Sequence, residues 1–347
     1  MIENDSNNLE NSINSKGKIT VKFLLKCIAC LIPLAALIIY TLLCPMYYMD
    51  EEYPSWKYKK EVAEGSIGEQ YYDTVILGDS GAMSALVPSK ISDDSCVSLA
   101  VGGATSIEMY YFMKEYLENH EAPKNVVIMF APFHYWHIDN YKTRTMYFKA
   151  LSCKDTSELR ENAEYCGADS VLFDDCYAYD FSCRAGLPTV YLPAITAAKF
   201  VSRYDSNKAL YSDLVKAEGF GSFGKEDYCA DESYETSYTE VEFGGDVYLI
   251  FKYFDKIVEL CKENGCKISL LQPALNEATY DNLNADYLKG YYAFVEDFAN
   301  SHEDVYVERE LRRYDNDCFG DVSHLNGKGA EKFSLEIYEI LKNQADR

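Results

Sequence analysis

Positive charge is scarce in this sequence. Its 347 residues include 33 lysines and arginines against 56 aspartates and glutamates, which gives a formal net charge of -23 at pH 7. Such an acidic surface repels phosphate backbones and therefore disfavours nucleic acid as a partner. Hydrophobic residues make up 48% of the chain. That is enough for a sizeable core in one large domain or two small ones.

Histidine is also scarce, and the cysteines beyond the amino-terminal apolar segment include no Cys-x-x-Cys pair with histidines at zinc spacing. The sequence therefore implies no metal and no cofactor. His134 and His137 are three residues apart, but they lack a third ligand at a suitable spacing, so an aromatic loop is the better interpretation. Buried free thiols and disulfides remain alternatives for the cysteines, and the candidate bridges are Cys261 with Cys266 and pairs among Cys153, Cys166, Cys176 and Cys183.

Charge is absent altogether from Cys27 to Met49. About 20 apolar residues span the core of a bilayer, so this segment is predicted to be a transmembrane helix. Residues 1–26 form a tail whose lysines favour the cytoplasmic side, and Met1–Ser15 is expected to be disordered. Residues 50–70 are expected to be a juxtamembrane linker, and the remaining chain would be extracytoplasmic. A cleaved signal peptide and a buried core helix are the alternatives for the apolar segment.

Beyond the linker, short apolar runs alternate with helical patterns. This spacing indicates right-handed parallel crossovers. The predicted fold is α/β, a three-layer α/β/α sandwich with a mainly parallel five-stranded sheet over residues 71–345. Residues 133–245 break the alternation and are interpreted as an insertion that shapes or covers the site. The expected strands are Thr74–Leu77, Cys96–Val101, Val126–Phe130, Lys267–Leu271 and Val305–Val307, and the expected helices are Ala82–Leu86, Ile107–Asn119, Tyr248–Asn264, Tyr287–Asn300 and Gly327–Asn343.

The first strand leads directly into Gly78–Asp79–Ser80–Gly81. A serine where a strand gives way to a helix exposes its hydroxyl at the carboxyl edge of the sheet, where α/β folds place their sites. Its backbone N–H lies near a helix N-terminus, which favours negative charge. Ser80 is therefore a candidate nucleophile; the alternative is a polar turn between two core elements.

Near the other end of the chain, Asp321 and His324 lie three residues apart, just before a helical stretch. A hydroxyl nucleophile needs a base, and the base needs a carboxylate that holds its tautomer. A capping aspartate and a solvated histidine are the structural alternatives. Together, Gly78–Asp79–Ser80 and Asp321-x-x-His324 resemble the first and last motif blocks of the SGNH (GDSL-type) hydrolase superfamily. The resemblance implies a flavodoxin-like fold in which Ser80 is the nucleophile, His324 the base and Asp321 its orienting carboxylate.

Gly102 and Gly103 end the second strand. The resemblance places the second-block glycine of the family at Gly103, whose N–H would hold the oxyanion together with that of Ser80. Plain turn chemistry is the alternative. The asparagine that the family carries after the third strand has no counterpart in Ala131–Pro132–Phe133–His134. A third donor is therefore missing or comes from elsewhere, with His134 or Gln272 as possible substitutes.

One membrane helix followed by an SGNH-like domain resembles bacterial envelope acyl-transfer proteins, such as the DltD proteins of teichoic-acid D-alanylation and the AlgJ/AlgX-like polysaccharide O-acetyltransferases. The resemblance implies a tethered serine esterase or O-acyltransferase. It would move an acetyl or D-alanyl type group on a cell-surface polysaccharide or teichoic-acid-like polymer, with a separate membrane-bound O-acyltransferase as donor. The alternative is a catalytically inactive glycan-binding or assembly module.

Overall fold

The structure of the chain, a computed structural model, describes residues 2–138, 140–168, 188–234 and 244–345. The chain divides into two units. The smaller unit comprises the described residues of Met1–Asp50 and Tyr177–Tyr204, and the larger unit those of Glu51–Cys176 and Asp205–Arg347.

The larger unit is built on a five-stranded parallel sheet with the strand order β2-β1-β3-β4-β6. The prediction of an α/β chain with such a sheet is confirmed. A second, two-stranded parallel sheet pairs β5 with β7 and was not predicted, because runs of three residues carry too little periodicity. The strands are β1 (Thr74–Gly78), β2 (Cys96–Ser98), β3 (Asn125–Met129), β4 (Lys267–Leu271), β5 (Ala274–Asn276), β6 (Tyr306–Val307) and β7 (Arg312–Tyr314).

Helices connect these strands and begin close to the expected residues. The helix after β2 starts at Ser106 because Thr105 and Glu108 form a capping box at its N-terminus. In chain order the helices are α1 (Ile2–Leu43), α2 (Tyr53–Ala63), α3 (Ser80–Ala85), α4 (Pro88–Ile91), α5 (Ser106–Asn119), α6 (Cys153–Cys166), α7 (Pro188–Ala197), α8 (Tyr204–Lys216), α9 (Gly245–Glu263), α10 (Glu277–Asp281), α11 (Ala285–Ser301) and α12 (Gly327–Ala345).

The central strands are buried on both faces. All five residues of β1 are buried, and so is β3 from Val126 onward, which is why both read as continuous apolar runs. Helix α12 contacts α3 and α4, and it contributes Phe333 and Ile337 to the core. Because the strands are parallel, the carboxyl ends of β1 and β3 lie at one edge of the sheet, with the segment after β2 beside them.

The apolar segment forms part of α1. Within helix α1, the stretch Ile19–Leu43 is long and apolar enough to cross a membrane. A signal sequence can have the same length and composition. The helix runs from Ile2, whereas Met1–Ser15 was expected to be disordered. Proline, which would interrupt the helix, is absent before Pro33.

The segment expected as a linker contains α2 and differs from that expectation. Trp56, Lys59 and Val62 of this helix are buried, and the helix contacts α5. The buried side of this helix could not be recognised from the sequence, because charged residues alternate with the buried aromatic ones. The larger unit therefore begins at Glu51 rather than at residue 71.

The described parts of the predicted insertion hold α6, α7 and α8. Cys176 and Cys183 lie outside the described residues, so their proposed bridges are untested. Cys166, Cys261 and Cys266 are free thiols. Of the two alternatives for Cys261 and Cys266, a disulfide or free thiols, the structure has the free thiols.

Candidate active site

Ser80 is the first residue of α3 and follows directly from β1. The turn between them is tight. A Cβ on Gly78 would lie 2.0 Å from the carbonyl oxygen of Met129 and 2.5 Å from Cβ of Ala82, so only glycine fits there. This close approach places the start of α3 at the edge of the sheet where β3 also ends.

The structure brings Ser80, His324 and Asp321 together. Nε2 of His324 lies 2.9 Å from Oγ of Ser80. On the other side of the ring, Nδ1 lies 2.9 Å and 3.0 Å from the two carboxylate oxygens of Asp321. With its proton on Nδ1, the imidazole donates a hydrogen bond to Asp321. Its Nε2 then accepts a hydrogen bond from the hydroxyl of Ser80. This is the order of groups that activates a serine hydroxyl.

The loop that carries these two residues is held by its own hydrogen bonds. Oδ1 of Asp321 accepts from the backbone N–H groups of Ser323 (2.9 Å) and His324 (2.8 Å), which closes a tight turn. Asn326 is buried, and its side chain donates to the carbonyl of Asp317 at 2.9 Å and accepts from the N–H of Gly329 at 3.0 Å. The base is thus oriented by a short, internally bonded turn that leads into α12.

The Asp321 carboxylate is strongly held in its charged form. Partial burial raises its pKa, but the hydrogen bond and charge of His324 and the two backbone N–H groups outweigh burial and lower the pKa to about 2. Asp321 is therefore an anion throughout the range in which the imidazole could act as a base.

Asp79 is a second buried carboxylate, directly before the candidate nucleophile. Its Oδ1 accepts from the N–H of Gly81 (2.8 Å) and Ala82 (3.3 Å), and its Oδ2 accepts from the N–H of Ala131 (2.7 Å) and from Nδ1 of His134 (2.6 Å). Burial raises the pKa of Asp79, but these bonds, led by that of His134, bring the net pKa below its usual value. Asp79 thus ties the start of α3 to the segment after β3.

His134 and His137 have separate surroundings. His134 is engaged by Asp79, whereas the ring of His137 stacks on Phe133 with centroids 4.6 Å apart. Among the residues that the structure describes, no group of three histidine, cysteine or acidic side chains is placed to hold a metal ion.

The segment after β2 passes close to the nucleophile turn. The N–H of Val101 donates to the carbonyl of Gly78 at 3.2 Å, which draws the following glycines beside the end of β1. Gly103 has a φ of +72°, and a Cβ there would meet Nη1 of Arg144 at 2.8 Å and Nδ2 of Asn140 at 3.0 Å. Gly103 therefore lies against a side-chain amide and a guanidinium that both come from the insertion.

Gln272 has its amide engaged elsewhere. Nε2 donates to the carbonyl of Glu308 at 2.9 Å, and Oε1 accepts from the hydroxyl of Tyr291. Its side chain is fully buried. These bonds leave Gln272 with a structural role and make it unsuitable as a substitute for the expected asparagine.

Sequence reasoning missed Asn140, Arg144 and Phe223. All three lie in the insertion, where no periodicity or motif marked them. The Asp79–His134 contact did carry a signal, because Asp79 follows β1 and His134 follows the neighbouring β3, and parallel strands end at the same edge.

No family model matches the chain, and no curated protein matches it. The functional conclusion therefore depends on the geometry of this site.

Proposed function

We propose that this chain is a membrane-tethered serine esterase or O-acyltransferase that moves an acyl group on a cell-envelope glycan. The hydrogen-bonded series from Asp321 through His324 to Ser80 carries this proposal. Asp321 and His324 lie near the C-terminal end of the sequence, and Ser80 lies far from them. The contacts of His324 with Asp321 and with Ser80 are nevertheless both 2.9 Å long. Acid, imidazole and hydroxyl in this order are the groups that a serine nucleophile requires.

The geometry supports an acyl-enzyme mechanism. Oγ of Ser80 attacks the acyl carbonyl while Nε2 of His324 takes its proton, and Asp321 stabilises the resulting imidazolium. The N–H groups of Ser80 and Gly103 hold the oxyanion. The amide of Asn140 lies beside Gly103 and is proposed as the donor that the family takes from an asparagine after the third strand. The imidazolium then protonates the leaving alcohol. Water or a sugar hydroxyl removes the acyl group by the reverse path.

The proposal extends to the fold type and the setting. The chain is proposed to be an SGNH-type three-layer α/β/α sandwich of the branch that includes DltD and the AlgJ/AlgX-like proteins. The helix α1 would anchor it with a cytoplasmic N-terminus, because lysines precede the apolar segment and acidic residues follow it. The acyl group would be of the acetyl or D-alanyl type, the acceptor a polysaccharide or teichoic-acid-like polymer, and the donor a separate membrane-bound O-acyltransferase.

A fluorophosphonate probe tests the nucleophile directly. We expect it to label the detergent-solubilised full chain at Ser80 and to fail with Ser80→Ala. Ser157→Ala, which changes an exposed serine on α6, should label as the wild type does. Labelling that persists in Ser80→Ala would contradict the proposal.

One observation favours a second function, a catalytically inactive module that binds glycans or an assembly partner. The segment after β3 reads Ala131–Pro132–Phe133–His134 and lacks the asparagine of the family. A folded wild-type chain that the probe does not label would favour this module over the enzyme.

A further inference from the structure

A cavity of about 300 Å³ opens beside the candidate active site. Its wall combines α2 and the residues before it, α3, α8 and the loop after α8. Its lining includes Glu52, Met83, Leu210, Leu214 and Phe223.

Two of these residues connect the cavity to the triad. Met83 follows Ser80 by three positions on α3, and residues at that spacing share a helix face. Phe223 stacks on the imidazole of His324, with ring centroids 4.4 Å apart. The cavity wall therefore shares helix α3 with Ser80 and contains the ring that stacks on His324.

The chemistry of the wall is mainly apolar. Met83, Leu210, Leu214 and Phe223 supply hydrocarbon and thioether surface. Two of the polar lining groups have partners in the protein: Glu52 pairs with Arg144 at 3.2 Å, and the hydroxyl of Ser55 donates to the sulfur of Met83 at 3.1 Å. The acidic groups at the wall repel an anionic substrate end and leave an uncharged chain unaffected.

We propose that this cavity receives the alkyl chain of the acyl group carried by Ser80. The preferred acyl group is then neutral, unbranched and about six to eight carbons long, rather than of the acetyl or D-alanyl type that the family resemblance implies. This inference rests on the proposed function. A cavity of about 150 Å³ accommodates benzene, so one twice that size has room for a chain of this length and is much larger than an acetyl group needs. Burying each additional methylene favours the longer chain.

The test compares p-nitrophenyl acetate with p-nitrophenyl octanoate as acyl donors for the full chain. In each case the acyl carbon forms a bond to Oγ of Ser80, p-nitrophenolate leaves, and the serine proton passes to His324. We expect kcat/KM for octanoate to exceed that for acetate at least 10-fold. We expect an octanoate analogue with a terminal carboxylate to lose most of this preference.

A matched pair of variants locates the preference. Leu210→Trp fills the cavity from a residue that is 37% exposed, and the octanoate-to-acetate ratio should fall at least 5-fold. Val215→Trp makes a similar change at a residue of the same helix that is 47% exposed and does not line the cavity, and the ratio should stay unchanged. If the probe labels Ser80 but the wild type shows no chain-length preference, the cavity proposal fails and the enzyme proposal stands. If Ser80 is not labelled, both fail.

A separate observation concerns the smaller unit. Helix α7 contacts α1, and Ile195 and Ala198 are buried. The hydroxyl of Tyr40 donates to the carbonyl of Phe200, and the rings of Tyr47 and Tyr204 stack with centroids 4.2 Å apart. The end of α1 and the segment around α7 thus form one packed element.

This element presents apolar side chains outward. Leu192, Phe200 and Val201 are 43%, 51% and 58% exposed, next to a helix whose own apolar residues are exposed along Ile19–Leu43. Tyrosines gather where α1 ends, as they do at membrane–water interfaces. We infer that the segment from Leu192 to Val201 lies in the lipid interface beside α1, as a second membrane contact contributed by the insertion.

Tryptophan fluorescence in phosphatidylcholine proteoliposomes tests this contact on the full chain. The native Trp56 and Trp136 are buried, so a new indole dominates quenching. Brominated phosphatidylcholine should quench the added emission of Val201→Trp at least 3-fold more than that of Val215→Trp, and aqueous iodide should show the opposite order. Equal quenching of both variants by iodide, or no lipid quenching of Val201→Trp, would overturn the inference.

Discussion

Phe223 stacks on the imidazole of His324, with ring centroids 4.4 Å apart and 27° between the ring planes. This contact connects the insertion to the candidate base. The loop that carries Phe223 is fixed on both sides, since the N–H of Gly221 donates to the carbonyl of Met83 at 3.1 Å and the N–H of Lys225 donates to that of Gly320 at 2.7 Å. The insertion therefore helps to set the orientation of the ring that faces Ser80.

Removing this ring should slow the chemistry without abolishing it. Aromatic pairs contribute about 0.5–1.5 kcal/mol beyond the area they bury, so Phe223→Ala should lower the rate of fluorophosphonate labelling about 2- to 10-fold. Phe223→Tyr keeps the stacked ring and should restore most of the rate. If Phe223→Ala labels as fast as the wild type, the stacking has no part in orienting His324.

Replacing the orienting carboxylate should have a much larger effect. Asp321→Asn presents an amide to Nδ1 of His324 and favours the wrong tautomer, so the labelling rate should fall about 10³- to 10⁴-fold. Asp317→Asn is the matched control in the same loop, because its carboxylate is exposed and pairs with Lys328. A small effect of Asp321→Asn would mean that His324 does not depend on this carboxylate.

The same carboxylate gives stability a defined dependence on pH. The pKa of Asp321 is about 2 in the folded chain, against an ordinary aspartate pKa of about 3.9. A depressed folded-state pKa contributes stability that is complete above the unfolded-state pKa and is lost as the pH falls through the folded-state value. The difference in urea unfolding midpoint between wild type and Asp321→Asn should therefore be constant above about pH 5 and shrink towards pH 2. A difference that does not change over this range would contradict the lowered pKa of Asp321.

The sequence predicted the five-stranded parallel sheet, and it singled out the three residues that the structure brings within hydrogen-bond distance of one another, Ser80, His324 and Asp321. Val75–Leu77 and Lys267–Leu271 are apolar runs long enough to identify buried strands, and two motif blocks marked Ser80 and His324. The surroundings of these residues could not be predicted, because Phe223 contacts His324, and Asn140 lies beside Gly103, through tertiary contacts of a segment without periodicity. Lys59 shows the same limit, since a lysine in a charged stretch gives no sign that it will be fully buried.

The buried Asp79–His134 pair should matter for stability as well as for the turn at Ser80. His134→Leu leaves Asp79 with three backbone donors and removes its shortest bond, so we expect a loss of about 2–3 kcal/mol in the free energy of unfolding. His302→Leu removes a histidine contact to the exposed Asp255 and should cost less than about 1 kcal/mol. The free energy of unfolding is measured by urea unfolding in detergent. Equal losses in the two variants would show that burial of Asp79 does not strengthen its contact with His134.

Lys59 binds the loop before Phe223 through its side-chain nitrogen. Its Nζ is fully buried and donates to the carbonyl of Ser98 at 2.6 Å and to that of Gly219. A Cβ on Gly219 would lie 2.2 Å from this Nζ, so the glycine allows the lysine to reach the loop.

Burial lowers the pKa of Lys59 well below its ordinary value. The unfolded chain therefore binds more protons at this residue between the two pKa values, and stability rises with pH in that range. The unfolding midpoint of the wild type relative to Lys59→Met should increase from pH 7 to about pH 10. Lys60→Met removes a lysine from the same helix at a partly exposed position and controls for the loss of charge. A wild-type advantage that falls as the pH rises would mean that Lys59 is charged and stabilised in the folded chain, and that its two carbonyl partners hold an ammonium rather than a neutral amine.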